Sequence, residues 1–94
     1  MKKFIIQLTH SAAEDLDRIP EARRINVIAI IKKLSSNPFA SGPNIKKLKG
    51  FKTPLYRIRS GDYRVLYRVQ EKTVYIMRVV DRRDLDKIIK RLKL

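Results

Sequence analysis

The dipeptide Gly61-Asp62 constrains this chain more than any other feature. It separates two runs of alternating side chains, Leu55 to Ser60 and Tyr63 to Val69. Glycine tolerates the positive φ required at the first central position of a two-residue type II′ hairpin. With that turn in place the register follows: Ser60 faces Tyr63, Arg59 faces Arg64, Ile58 faces Val65, Arg57 faces Leu66 and Tyr56 faces Tyr67. Side chains alternate along a strand, so Tyr56, Ile58, Tyr63, Val65, Tyr67 and Val69 share one face. Arg57, Arg59, Arg64, Leu66 and Arg68 share the other. A third run, Thr73 to Val80, follows the weaker turn Glu71-Lys72. The three runs predict an antiparallel meander in which Tyr75 lies opposite Arg68.

The apolar face of this meander needs a cover, and the upstream sequence supplies one. Lys3 to Leu8 reads as a short strand. Ser11-Ala12-Ala13-Glu14 fits a capping box, which predicts a helix carrying Ala12, Leu16 and Ile19 on one face. Pro20 ends it and suits the first turn of a second helix. There Ala22, Ile25, Ile28, Ala29 and Leu34 keep helical spacing to about Ser36, giving a helical hairpin. Asn37 to Gly50, with Pro38, Gly42 and Pro43, reads as a loop. At the other end Leu85, Ile88, Ile89 and Leu92 recur at i, i+3, i+4 and i+7, an amphipathic helix that Asp81 is placed to cap. The expected order is β-α-α-β-β-β-α. This is a single α+β domain over residues 1–94, an antiparallel sheet with the helical hairpin packed on one face and a C-terminal helix, the helices all on that face.

Charge says where to look for a site. Lys and Arg number 23 against 9 acids, and the formal net charge is +14. Residues 1–44 carry 7 basic and 4 acidic side chains, and residues 45–94 carry 16 and 5. The excess therefore belongs to the meander and the last helix, and it points to an anionic partner. Lys2-Lys3 before Phe4-Ile5-Ile6 is too short a pattern for a secretion signal, and the run Ile25 to Ile31 is far below a membrane span. The chain has no cysteine and one histidine, His10. That excludes a thiol nucleophile, a disulfide framework and a cysteine-ligated metal, and accords with a reducing cytosol. There is no glycine-rich phosphate loop and no metal-ligand spacing. His10 reads as a turn or surface residue.

Like charges directly opposed across strands destabilise a sheet. A face carrying Arg57, Arg59, Arg64 and Arg68 therefore invites an anion, and arginine's planar fork matches phosphate. The alternative is a solvated basic face. Arg82 and Arg83 sit at the start of the last helix and extend the same site if that start folds over the arginine face. Lys46, Lys47 and Lys49 read either as a second, looser set of contacts or as solubilising charge. Of the tyrosines, Tyr56, Tyr63 and Tyr67 read as packing, while Tyr75 falls on the arginine face.

In this order and spacing, Lys47-Leu48-Lys49-Gly50, Tyr56-Arg57-Ile58-Arg59, Gly61-Asp62-Tyr63-Arg64-Val65-Leu66-Tyr67 and Val80-Asp81-Arg82-Arg83 resemble the RelE/ParE superfamily of bacterial and archaeal toxins, nearer its RelE branch. The resemblance spans essentially the whole chain. It implies a cytoplasmic, ribosome-dependent endoribonuclease, an mRNA interferase held inactive by a cognate acidic antitoxin, with no cofactor. It places catalytic roles on Arg57, Arg59, Arg64 and Arg83, and the charge pattern adds Lys46, Lys47, Lys49, Arg68 and Arg82 as candidate RNA contacts. A tyrosine found in some members falls at Ile89, so this chain lacks it. The competing expectation is that Ile89 belongs to the apolar stripe of the last helix. Two other functions stay open on the residues alone: a ParE-like inhibitor of a DNA topoisomerase, and a catalytically weak relative that binds RNA or an antitoxin.

Overall fold

The structure, a computed structural model, describes residues 3–39 and 44–93; Lys2, Gly42 and Pro43 lie outside the described residues. Along the chain come β1 (Ile5–Leu8), α1 (His10–Arg18), α2 (Glu21–Lys33), β2 (Ile45–Leu48), β3 (Leu55–Ser60), β4 (Tyr63–Gln70), β5 (Thr73–Asp81), a 3-10 turn (Arg82–Asp84) and α3 (Leu85–Leu92). The strands form one sheet in the order β1-β5-β4-β3-β2. The meander expected from Gly61-Asp62 is present, with every β3–β4 pair in the expected register. Gly61 has φ +58°, as its turn requires.

Two edges differ from expectation. Ile45–Leu48 lies inside the stretch read as loop, yet it pairs antiparallel with β3. Four residues with two central lysines carry little strand signal of their own. The open hydrogen-bonding edge of β3 recruits them, and exposed lysines suit an edge strand because they discourage further pairing. At the opposite edge β1 runs parallel to β5, pairing Ile5–Leu8 with Thr73–Ile76, so the sheet is mixed.

Beyond Ile76 no strand among the described residues lies beside the outer edge of β5, and the start of α1 satisfies it instead. Thr9 N donates to Ile76 O, and Thr9 Oγ1 lies 3.1 Å from Ile76 O and 2.9 Å from Met77 O. The same hydroxyl accepts from Ala12 N at 3.1 Å, so Thr9 rather than Ser11 caps α1. The cap moves because Thr9 also has strand carbonyls to serve.

The helices occupy both faces of the sheet. Ala12, Leu16 and Ile19 of α1 and Val27, Ile31 and Leu34 of the α2 region pack on Ile58, Val65, Tyr67, Val74, Ile76 and Val79. On α2 the core takes Val27 and Ile31, whereas Ile25 is 61% exposed and Ala22 and Ala29 face outward. The run Ile25–Ile31 is apolar nearly all round, so periodicity alone does not select its inner face. Helix α3 packs on the other face, correcting the expectation of one helical layer. There Ile88 joins Leu55, Leu66 and Val80, with Leu85, Ile89 and Leu92 beside them.

A bulge in β5 makes this second cluster possible. Leu66 pairs with Arg78 but Tyr67 with Ile76, which leaves Met77 as an extra residue. One inserted residue reverses the alternation beyond it. Val79 then joins the core under α1, while Val80 turns to the face that α3 covers.

Ile89 is partly buried within the α3 cluster, so its neighbours are apolar side chains rather than open solvent. Ile89→Tyr is expected to overpack this small core and cost about 1–3 kcal/mol. A melting curve measured beside a cleavage assay checks it: a gain in rate at unchanged stability would return Ile89 to the site.

Candidate functional site

Strand pairing brings three arginines together near the β3–β4 turn. Arg59 and Arg64 are direct cross-strand partners, and Arg57 is two residues along β3 from Arg59 on the same face. Arg57 is buried to 9% exposure and its Nη1 donates to Asn44 O at 3.4 Å, whereas Arg59 is exposed and Arg64 half-buried. Burial, and behind it the charges of Arg59 and Arg64, hold the Arg57 guanidinium below the pKa of an ordinary arginine. Each of these causes disfavours the cation, and an anion seated among the three removes the repulsive part. Among the described residues no carboxylate forms an ion pair with Arg57, Arg59 or Arg64. The Arg64 Nη1 instead donates to Gly61 O at 2.9 Å and Tyr63 O at 3.0 Å. Those contacts aim its fork while leaving it electrically uncompensated.

Arg83 stands at the same end of the sheet in a different electrostatic state. The chain leaves β5 opposite Tyr63, and Arg82 N donates to Asp62 O at 2.8 Å, which fastens the 3-10 turn to the β3–β4 turn. Asp81 caps this turn, accepting from Arg83 N at 2.9 Å, Arg83 Nε at 3.0 Å and Arg83 Nη2 at 3.3 Å. The Arg83 side chain is 82% exposed. The hydrogen bond from the Arg83 side chain is the first cause that holds Asp81 below the usual carboxylate range. Asp81 therefore stays ionised through neutral pH, and a phosphate reaching Arg83 competes with it. Arg82 is more loosely held, its Nε 3.7 Å from Asp62 Oδ1.

The outer cations divide. Lys46 pairs with Arg57 and shares its face, so it extends the cluster across β2. Lys47 pairs with Tyr56 and belongs to the face of the helical hairpin. Lys49 follows β2 and is exposed. Arg68 lies opposite Tyr75 as expected, but four residues along β4 from Arg64. That is about 13 Å of strand. Leu66 lies between them, buried with Ile88 of α3. The structure thus joins Arg57, Arg59, Arg64 and Lys46, places Arg82 and Arg83 beside the same end, and sets Arg68 apart.

Sequence reading missed Asp15 and Arg78. Asp15 is 8% exposed, and its carboxylate accepts from Arg78 Nε at 2.7 Å, Arg78 Nη2 at 3.1 Å and Val79 N at 2.9 Å. The last bond satisfies the unpaired edge of β5, and Arg78 follows the alternation of Val74 and Ile76 toward α1. Hydrogen bonding to Asp15 raises the Arg78 pKa, against the effect of burial. This clamp fixes the strand that leads into Arg82 and Arg83. Its one visible signal is an acid between Ala12 and Leu16 in the apolar stripe of α1. No group of three or more His, Cys, Asp or Glu among the described residues is arranged to hold a metal.

Several solved structures share this architecture. The archaeal RelE of the RelE–RelB complex from Pyrococcus horikoshii is 27% identical, with 87% of this chain and 97% of that chain covered and a TM-score of 0.73. The toxin–antitoxin complex RelBE2 of Mycobacterium tuberculosis contains a chain 28% identical, covering 84% of this chain and 98% of that one at a TM-score of 0.70. The RelB–RelE complex of Methanococcus jannaschii contains another, 27% identical, covering 85% and 94% at 0.69. No curated protein matches at the sequence level. Residues 6–86 match the family described as the ParE toxin of the type II toxin-antitoxin system parDE. The family profile carries the ParE name and these solved structures the RelE name, and the superfamily is common to both. With most of its length inside that profile and the same five-stranded plan around its arginines, the chain belongs to the RelE/ParE superfamily of type II toxin–antitoxin toxins.

Proposed function

We propose that this toxin is a RelE-type mRNA interferase, an endoribonuclease that cuts messenger RNA on the ribosome in the cytoplasm. The observation that carries this reading is the grouping of Arg57, Arg59 and Arg64 on one face with no acid among the described residues paired to them. In the reaction the ribose 2′-oxygen attacks the adjacent phosphorus as the bond to the 5′-oxygen breaks. The products are a 2′,3′-cyclic phosphate and a 5′-hydroxyl. Arg57 and Arg64 clamp the phosphate and stabilise the charge that develops on its oxygens. Arg59, exposed beside them, guides the proton leaving the 2′-hydroxyl. An arginine is too weak a base to hold that proton, so water or the ribosome takes it. Arg83 exchanges Asp81 for the leaving 5′-oxygen, which takes a proton from solvent. Lys46, Lys49 and Arg82 hold the flanking RNA backbone, while Lys47, on the face of the helical hairpin, drops out of the contacts expected from charge alone.

Cationic clamps bind a phosphate without aligning the 2′-hydroxyl for in-line attack. Alignment is worth about 7 kcal/mol or more of barrier, which a message held in the ribosome supplies. Primer extension on a translated message, with and without ribosomes, tests the proposal. Strong cuts are expected with ribosomes and only slow cutting of naked RNA. No cuts in either case would reject the nuclease.

The partner is a cognate antitoxin with an acidic, partly helical segment. The RelE–RelB complexes support this, as does the modest cluster that holds the eight-residue α3 to the sheet. A segment with the spacing of Leu85, Ile88 and Leu92 fits the same surface and neutralises the basic face. The ParE name of the matching family favours a second reading, inhibition of a DNA topoisomerase. Loss of supercoiling by DNA gyrase on adding the toxin, without any RNA cleavage, would establish it instead.

A further inference from the structure

Behind α3, on the same sheet face as the arginine cluster but separated from it by Leu66 and Ile88, lies a second cationic pocket. Thr53, Arg68, Gln70, Tyr75 and Met77 enclose a cleft of about 210 Å³. The Arg68 Nε is buried and has no hydrogen-bond acceptor among the described residues. Its guanidinium carbon stands 5.9 Å from the centre of the Phe51 ring, and Lys93 Nζ stands 5.7 Å from the same centre. Lys93 is held there because its chain crosses Gly50, where a Cβ would lie 3.3 Å from Lys93 Cε and Nζ. Gly50 has φ +92°, a conformation side chains rarely adopt, so both its backbone and this crossing favour glycine. None of the residues enclosing the cleft is acidic, and neither Arg68 nor Lys93 forms an ion pair among the described residues.

We infer that this pocket is a second RNA contact, binding the RNA backbone through Arg68 and the neighbouring cation Lys93 with a base against Tyr75. The inference rests on the RNA-binding part of the proposed function. Two cations held by one aromatic ring, rather than by carboxylates, keep their charge for an outside anion. Neutral donors and acceptors on Thr53, Gln70 and the Tyr75 hydroxyl suit a sugar or base edge. A half-buried tyrosine beside cations is the pattern that single-stranded nucleic acid selects, whereas an acidic peptide has no base to stack. The buried Leu66 bars a single strand from running straight along the sheet between the two sites. The pocket therefore takes a different stretch of RNA from the one at Arg57, Arg59 and Arg64.

The test uses the whole chain and a labelled ten-nucleotide 2′-O-methyl RNA, which cannot be cut through a 2′-hydroxyl. Removing two phosphate contacts lowers the salt slope by about 1.4 for single-stranded nucleic acid. In Arg68→Gln/Lys93→Gln the affinity loss between 50 and 200 mM salt should therefore shrink by about 7-fold. Lys32→Gln/Lys33→Gln on α2 removes the same charge and is expected to leave the slope near wild type. Amide signals of Thr53, Arg68 and Tyr75 should shift on adding RNA to the wild-type chain, and Tyr75→Leu should weaken binding several-fold. Equal slopes in the two double variants, with shifts confined to β3 and the first half of β4, would overturn the inference. So would equal shifts with inorganic phosphate alone, or displacement of RNA by an equimolar polyglutamate peptide. Cleavage on ribosomes with no effect at Arg68 removes the pocket and leaves the nuclease. Binding at Arg68 without any cleavage does the reverse.

Discussion

Arg64→Ala is expected to lower ribosome-dependent cleavage about 100- to 1,000-fold, the range found when one preorganised donor to a developing oxyanion is removed. The fold should survive. The substitution deletes two hydrogen bonds from Arg64 Nη1 to Gly61 O and Tyr63 O, at the surface end of the hairpin. It also ends the opposition of Arg64 to Arg59 and leaves no cavity, since Leu66 and not Arg64 fills the space beneath α3. The net change in stability is about 1 kcal/mol or less, a shift in Tm below about 8 °C for a domain of this size. Primer extension and a melting curve on the same preparation decide it. Full cleavage by a folded Arg64→Ala protein would take this residue out of the site.

Asp15→Ala should produce the largest loss of stability of any single polar substitution considered, about 3 kcal/mol. The change strands the Val79 N–H on an edge with no neighbouring strand and leaves Arg78 without its counter-charge. Since ΔΔG of 1 kcal/mol moves Tm by about 4–8 °C, the midpoint should fall by about 12–24 °C. Asp15→Asn keeps an acceptor for Val79 N but loses the charge, and is expected to fall between wild type and alanine. Asp15→Leu combined with Arg78→Met should recover part of the alanine loss, because a buried pair replaced by apolar groups of similar volume no longer leaves an unmatched charge. An Asp15→Ala midpoint within about 4 °C of wild type would show that the carboxylate does not hold the β5 edge.

These two predictions reach residues of opposite legibility. Arg64 is placed by the sequence alone, because a two-residue turn and strict alternation are local rules that fix partner and face together. The same rules put Arg57 and Arg59 beside it, and every β3–β4 pair obeys them. Asp15 could not be placed that way. Its partner lies 63 residues along the chain, and no local signal pairs the two or announces the inserted Met77 beside Arg78. The helical hairpin was readable from Pro20 and the flanking apolar spacing. Its inner face was not, since Ile25 and Val27 are equally apolar and only docking against the sheet selects Val27.

What the sequence determined by itself is the set of elements that carry their own periodicity: the meander, the two N-terminal helices, the amphipathic last helix and the arginine cluster that the hairpin register aligns. Its charge imbalance also located the basic half of the molecule. Tertiary structure decided the rest. Ile45–Leu48 became a strand because β3 had an edge to complete, and β1 pairs parallel with the start of β5, a partner far along the chain that no local signal names. Helix α3 took the face opposite α1 and α2 because the bulge turned Val80 outward to join Leu55 and Leu66. That placement, in turn, divided an arginine face that looked continuous into a cluster at Arg57, Arg59 and Arg64 and a separate pocket at Arg68. The physical reason is common to all of these: backbone edges and apolar faces are satisfied by whichever partner the completed fold brings near, and that partner is not written in the neighbouring residues.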